Sequence, residues 1–275
     1  MLELPEAYTI AGQARDTLVG KKIDQVFAAQ TAHKLSWYHG DPSVYPALLD
    51  GEVVQDARSF GGWVEIDLDQ AVMLFTDGVN LRFHKEGEKR PAKHQLLLEF
   101  DDGTALSGVV QMYGGLLCFR EGELDNHYYN VAKEKPSPLS AGFDQDYFDK
   151  MVNEPAVQKL SAKAFLATEQ RIPGLGNGVL QDILYNAHIH PKRKIKDISS
   201  DKRGALYHAV QGTLLMMAMG GGRDTEKDLF GNPGGYQTSL SKNTAGKTCP
   251  HCSGTIRKET YLGGSIYYCD GCQVL

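Results

Sequence analysis

Cys249-Pro250-His251-Cys252 and Cys269-Asp270-Gly271-Cys272 lie near the C-terminus and contain four of the five cysteines of the chain. Each Cys-x-x-Cys pair places two thiolates on one side of a tight turn, and two such turns close a tetrahedron around a borderline-soft ion. The spacing is typical of a structural zinc site, so we predict that one Zn²⁺ is bound by Cys249, Cys252, Cys269 and Cys272. Such a site has no open position for catalysis.

The residues between the two pairs have β composition. Thr255-Ile256-Arg257 and Ile266-Tyr267-Tyr268 flank Gly263-Gly264, which predicts a β-hairpin. A unit of this size has almost no hydrophobic core, so metal binding, at about 10 kcal/mol, must drive its folding. We therefore predict a zinc finger, with His251 at its surface and not a ligand.

The region before the zinc finger has the helical period of 3.6. Apolar residues recur at this spacing in three groups: Val157, Leu160 and Ala164; Val179, Ile183 and Ala187; and Leu206, Val210, Leu214 and Met217. Ser199-Ser200-Asp201 offers a cap before the last group, and Gly220-Gly221-Gly222 ends it.

The turn Gly174-Leu175-Gly176-Asn177 opens the second of these helices. Glycines there allow another backbone to approach closely, and free amides at a helix N-terminus can hold a phosphate together with the Asn177 side chain. A plain glycine turn between two helices is the alternative, and local composition does not decide between the two.

The N-terminal region is predicted as a helix followed by an antiparallel β domain. Pro5 suits a first helical turn. Residues 23–119 have short segments of period two, and Asp77-Gly78 and Asp102-Gly103 predict hairpin turns. The polar segment 126–145 contains two prolines and is predicted as a linker.

Composition and charge exclude several classes of protein. The 275 residues are 41% hydrophobic, which is enough for a sizeable core. No apolar run approaches the roughly 20 residues of a membrane-spanning helix, so we expect a soluble, cytoplasmic protein with no membrane partner. Residues 1–155 hold 14 Lys and Arg against 25 Asp and Glu, whereas residues 156–275 hold 15 against 9. The basic half can neutralise phosphates, although chance asymmetry of solvated faces is the alternative.

Four motifs occur in one order along the chain: Glu3-Leu4-Pro5-Glu6, Gly174-Leu175-Gly176-Asn177, Gly234-Gly235-Tyr236-Gln237 and the terminal Tyr267-Tyr268-Cys269-Asp270-Gly271-Cys272-Gln273. In this order and spacing the chain resembles the formamidopyrimidine-DNA glycosylase and endonuclease VIII family. The resemblance implies an α+β fold with these parts: an N-terminal antiparallel β-sandwich with a leading helix (1–125), a linker (126–145), a helix-two-turn-helix domain (146–240) and a C-terminal β-hairpin zinc finger (241–275).

The resemblance also implies base-excision repair of damaged or abasic double-stranded DNA by a monomer. In the family a damaged base is flipped out of the duplex, because the reacting atom is inaccessible inside the stack. The N-terminal amine then attacks the sugar, and the resulting Schiff base leads to strand cleavage. Glu3 matches the acid that handles protons at the sugar, and Glu6 matches a second acid near the site. Lys163 and Asn177 match the lysine before the turn and the phosphate-binding asparagine.

Three positions depart from the family pattern. Leu2 replaces the proline whose amine is the nucleophile. Because leucine is too bulky for efficient removal of the initiator methionine, we expect Met1 to be retained. Its primary amine is then one residue farther from Glu3, which is about 3.8 Å along the chain. Gly62 stands where the family has a catalytic lysine, and Gly264 where an arginine grips phosphates. The arginine and phenylalanine of the family's wedge are also absent, and a residue of Met112-Tyr113 could replace them.

These departures leave three hypotheses open. The first is a DNA glycosylase that uses Glu3, Glu6 and either the Met1 amine or an activated water. The second is a catalytically inactive protein that binds an abasic site or a distorted duplex, in which Glu3 is an ordinary first-turn helix acid. The third is an RNA or protein partner on the loop 220–246.

DNA contact is predicted for the basic C-terminal half. The predicted contact residues are Lys163, Gly176, Asn177, Lys192, Arg193, Lys194, Arg257 and Lys258. For residues 192–196, a solvent-exposed charged face after a helix is as good an interpretation as phosphate contact.

Overall fold

The computed structural model describes residues 2–275, so Met1 and the role predicted for its amine lie outside the described residues. The helices are α1 (Leu4–Leu18), α2 (Tyr45–Leu49), α3 (His127–Glu134), α4 (Gln145–Asn153), α5 (Ala162–Ala167), α6 (Val179–Asn186) and α7 (Ser200–Met219). The strands are β1 (Ile23–Ala28), β2 (Ser36–Trp37), β3 (Val54–Phe60), β4 (Trp63–Leu68), β5 (Ala71–Phe75), β6 (Val79–His84), β7 (Leu96–Phe100), β8 (Ala105–Val110), β9 (Gly114–Arg120), β10 (Ile256–Tyr261) and β11 (Gly264–Cys269).

Strands β1 to β9 form the predicted β-sandwich. One sheet has the order β1-β7-β8-β6, and the other has the order β2-β9-β5-β4-β3. Neighbouring strands are antiparallel, except that the two-residue β2 runs parallel to β9. Apolar side chains of both sheets and of α1 share one core, which includes Leu18, Ile66, Phe75, Leu98 and Leu116. Helix α1 packs against β3, β4 and α7, and so lies between the sandwich and the helical region.

One of the two predicted hairpin turns is wrong. Asp102-Gly103 does join the paired strands β7 and β8. Asp77-Gly78, however, carries the chain from β5 in one sheet to β6 in the other. A β-carbon on Gly78 would overlap the carbonyl oxygen of Tyr113, and Gly78 has a φ of +82°. The glycine therefore permits a crossing of two backbones, which the turn signal alone does not distinguish from a hairpin.

The segment 126–145, predicted as a linker, contains helix α3. Asn126 caps this helix by accepting a hydrogen bond from the amide of Tyr129 at 3.1 Å. The Tyr129 hydroxyl donates to the buried carboxylate of Glu65 on β4, and Lys133 lies 3.6 Å from the same carboxylate. Residues distant in sequence thus hold α3 against the sandwich, and the prolines follow its end.

The helical region departs from the prediction in its first helix. Val157, Leu160 and Ala164 do not share one helix, because a 3₁₀ turn at Pro155–Val157 precedes α5. Ser161 precedes α5 and caps it, because its hydroxyl accepts a hydrogen bond from the amide of Ala164 at 3.2 Å. Helix α7 contains the whole third apolar group, and α6 contains the second group except Ala187, which directly follows the helix. Within residues 2–275, no helix is long and apolar enough to cross a bilayer.

Strands β10 and β11 form the predicted C-terminal hairpin, which docks on α6. The Tyr267 amide donates to the Gln181 side chain at 2.9 Å. The Gln273 side chain donates to the Ile189 carbonyl, also at 2.9 Å. The hairpin is therefore fixed to α6 and to the residues that follow this helix.

Candidate functional site

The four predicted zinc ligands lie together. Their sulfur atoms are all within 4.8 Å of one another, with Cys252 and Cys269 3.3 Å apart and Cys249 and Cys272 3.7 Å apart. Zinc–sulfur bonds of about 2.3 Å in a tetrahedron place sulfur atoms about 3.8 Å apart. The donor set therefore fits one structural zinc ion. His251 is exposed and packs against the Tyr185 ring.

The N-terminal segment joins the two domains. Leu2 is buried in the core of the sandwich, whereas Leu4 is buried in the core of the helical region. The Leu4 amide donates to the Gly174 carbonyl at 2.8 Å. Glu3 lies between these two leucines and is only 3% exposed. Its backbone is therefore held at the seam between the domains.

Both carboxylate oxygens of Glu3 accept backbone hydrogen bonds. The amide of Gly178 donates to Oε1 and the amide of Val179 to Oε2, each at 2.8 Å. These are the free amides at the N-terminus of α6, so Glu3 precedes α1 in sequence but caps α6 in space. Burial raises the pKa of Glu3, while Arg223 and the two amides oppose this shift.

Arg223, which no sequence motif predicted, is the cation that contacts Glu3 and Glu6. It is 3% exposed, and its Nη1 lies 3.4 Å from Glu3 Oε2. Its Nε and Nη2 donate to the two oxygens of Glu6 at 2.9 and 2.7 Å. Burial disfavours the charged guanidinium, but Glu3 and Glu6 raise the pKa of Arg223. The only sequence signal was a basic residue directly after Gly220-Gly221-Gly222.

The glycines of the turn permit these contacts. A β-carbon on Gly178 would overlap Arg223 Nη1, and one on Gly176 would lie 2.6 Å from Glu3 Oε1. Close approach was predicted here for a DNA backbone, and in the protein itself the approaching groups are Glu3 and Arg223. The predicted DNA contact of Gly176 stays a prediction.

The hairpin tip of β3 and β4 meets the same turn. A β-carbon on Gly174, which has a φ of +77°, would overlap the backbone of Gly61. One on Gly62 would lie 3.1 Å from the Leu2 carbonyl oxygen. The position that lacks the family's lysine is therefore directly beside the N-terminal segment and Glu3.

Lys163, Asn177 and Gly264 also come together. The Lys163 ammonium donates to the Tyr261 carbonyl at 2.6 Å, and the Asn177 amide donates to the Ser265 carbonyl at 2.8 Å. A β-carbon on Gly264 would lie 3.3 Å from the Lys163 nitrogen. Burial lowers the pKa of Lys163. The two groups predicted to hold phosphate thus contact the tip of the zinc hairpin.

The other predicted basic contacts lie apart from Glu3 and have partners of their own. Lys192 pairs with Glu259, and Arg257 pairs with Asp270 at 2.8 Å. Arg193 donates to the Val274 carbonyl at 2.9 Å. Lys258 lies over the Tyr267 ring. These residues form a charged surface on and around the zinc hairpin, and Lys194 is exposed.

A cavity of about 570 Å³ opens between the two domains beside Glu3. Leu2, Glu3 and Gly62 form part of its wall, and Leu166 to Thr168 with Gly174 to Gly176 form the opposite part. The remaining wall is rich in aromatic side chains: Trp37, Tyr38, Trp63, Tyr113 and Tyr128. No sequence motif predicted this lining, although Trp37-Tyr38-His39 is a visible aromatic cluster.

The chain is similar to known proteins over nearly its whole length. No protein-family model matches the sequence. A formamidopyrimidine-DNA glycosylase of Bacillus cereus is 26% identical over 280 residues, which cover 99% of each protein. One of Symbiobacterium thermophilum is 27% identical and covers 99% of this chain and 89% of its own.

Solved structures share the fold. Lactococcus lactis Fpg in complex with DNA containing an abasic site matches with a TM-score of 0.84 and 21% identity, over 99% of this chain and 100% of that one. MutM in complex with DNA containing carbocyclic 8-oxo-G matches with a TM-score of 0.83 and 21% identity, over the same shares. In its β-sandwich, helical region and C-terminal hairpin this protein therefore has the fold of these structures, and over its whole length its sequence is similar to formamidopyrimidine-DNA glycosylases.

Proposed function

We propose that this protein is a DNA-repair protein that binds damaged or abasic double-stranded DNA in the cleft between its two domains. The main observation that supports this proposal is the interdomain cavity, which has Glu3 in its wall. Relatives that match the whole chain are formamidopyrimidine-DNA glycosylases, and the matching Lactococcus lactis protein is seen with abasic-site DNA.

The cavity has the size and lining that an unstacked base requires. Ligand sites of this kind measure about 300 to 1,000 Å³, and the cavity measures about 570 Å³. Aromatic side chains bind a base by stacking, at about 1 to 3 kcal/mol per base, whichever base it is. Removal of a base from the duplex costs least where the base is damaged or mispaired. The cleft therefore favours damaged positions.

Base excision with a non-standard nucleophile is the first form of this function. Glu3 borders the cavity, and its raised pKa makes it a better proton acceptor for a water or for the amine of Met1. In this form Arg223 and the α6 amides keep the carboxylate in one orientation.

Inert binding of a lesion is the second form, and the hairpin tip favours it. Gly61 and Gly62 bring no side chain to the N-terminal segment, and they leave little space for one. The Leu2 side chain is buried in the sandwich core. Both oxygens of Glu3 are already hydrogen-bonded. A site of this kind can hold DNA without attacking the sugar.

One experiment tests the function and separates its two forms. The zinc-loaded protein is titrated into labelled duplexes that are undamaged or carry an abasic site, an oxidised purine or an oxidised pyrimidine, with and without borohydride. Equal affinity for damaged and undamaged duplexes would refute the proposal. A trapped adduct identifies an amine nucleophile, base release without an adduct identifies water, and tight binding with intact DNA identifies the inert form.

The matched variants are Glu3→Gln and Glu121→Gln. Glutamine at position 3 turns an N–H group toward one of the two amides that now donate to the carboxylate, so its melting temperature must be measured beside its activity. Glu121 is exposed and serves as the charge-matched control. Product formation that survives Glu3→Gln would remove Glu3 from the reaction.

A further inference from the structure

The Tyr185 side chain brings a hydroxyl group from helix α6 to the cysteines of the zinc hairpin. Its oxygen lies 3.0 Å from the sulfur of Cys249, and both residues are buried. Tyr185 packs in one cluster with Leu240, Ile256, Cys249 and Cys269. A tyrosine hydroxyl that is buried among apolar groups needs a hydrogen-bond partner. The structure gives it the sulfur of a zinc ligand.

The hydroxyl is the donor in this contact when zinc is bound. A cysteine binds zinc as a thiolate, which has no proton to donate. A phenol keeps its proton at neutral pH and can donate it. Tyr185 therefore donates an O–H···S hydrogen bond to the Cys249 sulfur. Hydrogen bonds with one charged partner are about twice as strong as those between neutral groups.

The zinc site needs such donors because four thiolates carry more negative charge than one Zn²⁺ neutralises. Groups that hydrogen-bond to metal ligands orient them, and their loss typically costs about 10- to 100-fold in metal affinity. Part of this support comes from the hairpin itself, since the Cys272 amide donates to the Cys269 sulfur at 3.5 Å. The Tyr185 hydroxyl differs in that it comes from the helical domain.

Packing holds the Tyr185 side chain in position. The His251 ring lies against the Tyr185 ring, with 5.5 Å between the ring centres. One helical turn earlier on α6, the Gln181 side chain accepts a hydrogen bond from the Tyr267 amide at 2.9 Å. The hairpin therefore docks on the same face of α6 that carries Tyr185, and this docking brings Cys249 to the hydroxyl.

We propose that Tyr185 is a positioning residue of the zinc site, whose hydroxyl holds the Cys249 thiolate and slows the loss of the metal. Zinc retention then depends on the helical domain as well as on the four cysteines. The first residue of the same helix, Val179, donates its amide to Glu3. One short helix thus contacts the metal site near its end and the wall of the interdomain cavity at its start. The inference concerns the metal site and does not rest on the proposed function.

The test measures zinc binding by the full-length protein in competition with a chromophoric chelator, and zinc release into an excess of that chelator. The matched control is Tyr207→Phe, which removes a buried hydroxyl that donates to the Phe143 carbonyl at 3.4 Å in the core of the helical region. We expect Tyr185→Phe to weaken zinc binding about 10- to 100-fold and to speed its release, and Tyr207→Phe to leave the zinc affinity within about twofold.

Co²⁺ in place of zinc provides a readout that a loss of packing alone does not move. A hydrogen bond to a thiolate lowers the energy of the sulfur lone pair, so its loss in Tyr185→Phe should shift the sulfur-to-cobalt charge-transfer band to longer wavelength. Tyr207→Phe should leave the band in place. Unchanged zinc affinity in Tyr185→Phe, or an equal loss in both variants, would overturn the proposal. Weaker zinc binding without a shift of the band would overturn it too, because Tyr185 would then act through packing and not through its hydroxyl.

Discussion

Arg223→Met is expected to destabilise the folded protein by about 3 to 5 kcal/mol at neutral pH. Arg223 is the cation that contacts both Glu3 and Glu6, and all three side chains are about 3% exposed. Methionine fills most of the space but supplies no charge. Removal of one partner from a buried ion pair leaves an uncompensated charge, and this costs about 3 to 5 kcal/mol. Here two carboxylates lose their cation at once.

The loss of stability caused by Arg223→Met should be larger at neutral pH than at acid pH. Burial already raises the pKa of Glu3, and Arg223 is the strongest group opposing that shift, so the variant raises this pKa further. A carboxyl group whose pKa is raised on folding contributes stability that is present below its unfolded pKa, near 4.3, and lost as the pH rises through the folded value. The deficit of Arg223→Met should therefore be larger at pH 7.5 than at pH 4.5.

Urea unfolding of the zinc-loaded protein at these two pH values measures the effect. Arg257→Met is the control, because Arg257 forms an exposed ion pair with Asp270 and such pairs contribute less than about 1 kcal/mol. Arg223→Met combined with Glu6→Gln should recover part of the deficit, since only one charge then stays unpaired. A loss below about 1 kcal/mol at pH 7.5, or a loss equal at both pH values, would show that the three residues are not coupled as the contacts indicate.

Three further predictions concern the turn and the zinc hairpin. In thermal unfolding, Gly178→Ala should destabilise the protein by at least about 2 kcal/mol, because the new β-carbon would overlap Arg223. Its control is Gly204→Ala on α7, where the β-carbon has open space, and this change should be neutral or stabilise the protein by up to about 1 kcal/mol. Cys249→Ser should abolish stoichiometric zinc binding and unfold residues 241–275, as seen by hydrogen exchange, since about 10 kcal/mol of metal binding folds this unit. Asn177→Ala should weaken DNA binding about tenfold in anisotropy titrations; unchanged affinity would remove its phosphate role.

Sequence-based prediction succeeded where the signal is local. The four cysteines and the Asp102-Gly103 hairpin depend on residues a few positions apart, and the structure has both. Asp77-Gly78 carries the same turn signal, but which sheet the next strand joins depends on Tyr113, 35 residues later. Helix α3 was missed for a similar reason, since Glu65 holds it from a distant strand.

The candidate site was predicted only in part, again for reasons of distance. Glu3 and Asn177 were recognisable because each belongs to a short motif. Arg223 was not, since its partner Glu6 lies 217 positions away in the chain. A buried cation can be inferred only once the two carboxylates that need it are known to be buried together.

The departures at Gly62 and Gly264 are linked to the packing of this site. A β-carbon on Gly62 would already lie 3.1 Å from the Leu2 carbonyl oxygen. One on Gly264 would lie 3.3 Å from the Lys163 nitrogen and 3.4 Å from the Asn177 nitrogen, so an arginine there would begin beside another cation. A lysine at position 62 or an arginine at position 264 would therefore require the neighbouring atoms to move by a few tenths of an ångström. We therefore expect any reaction in the cleft to depend on Glu3, which lines the cavity.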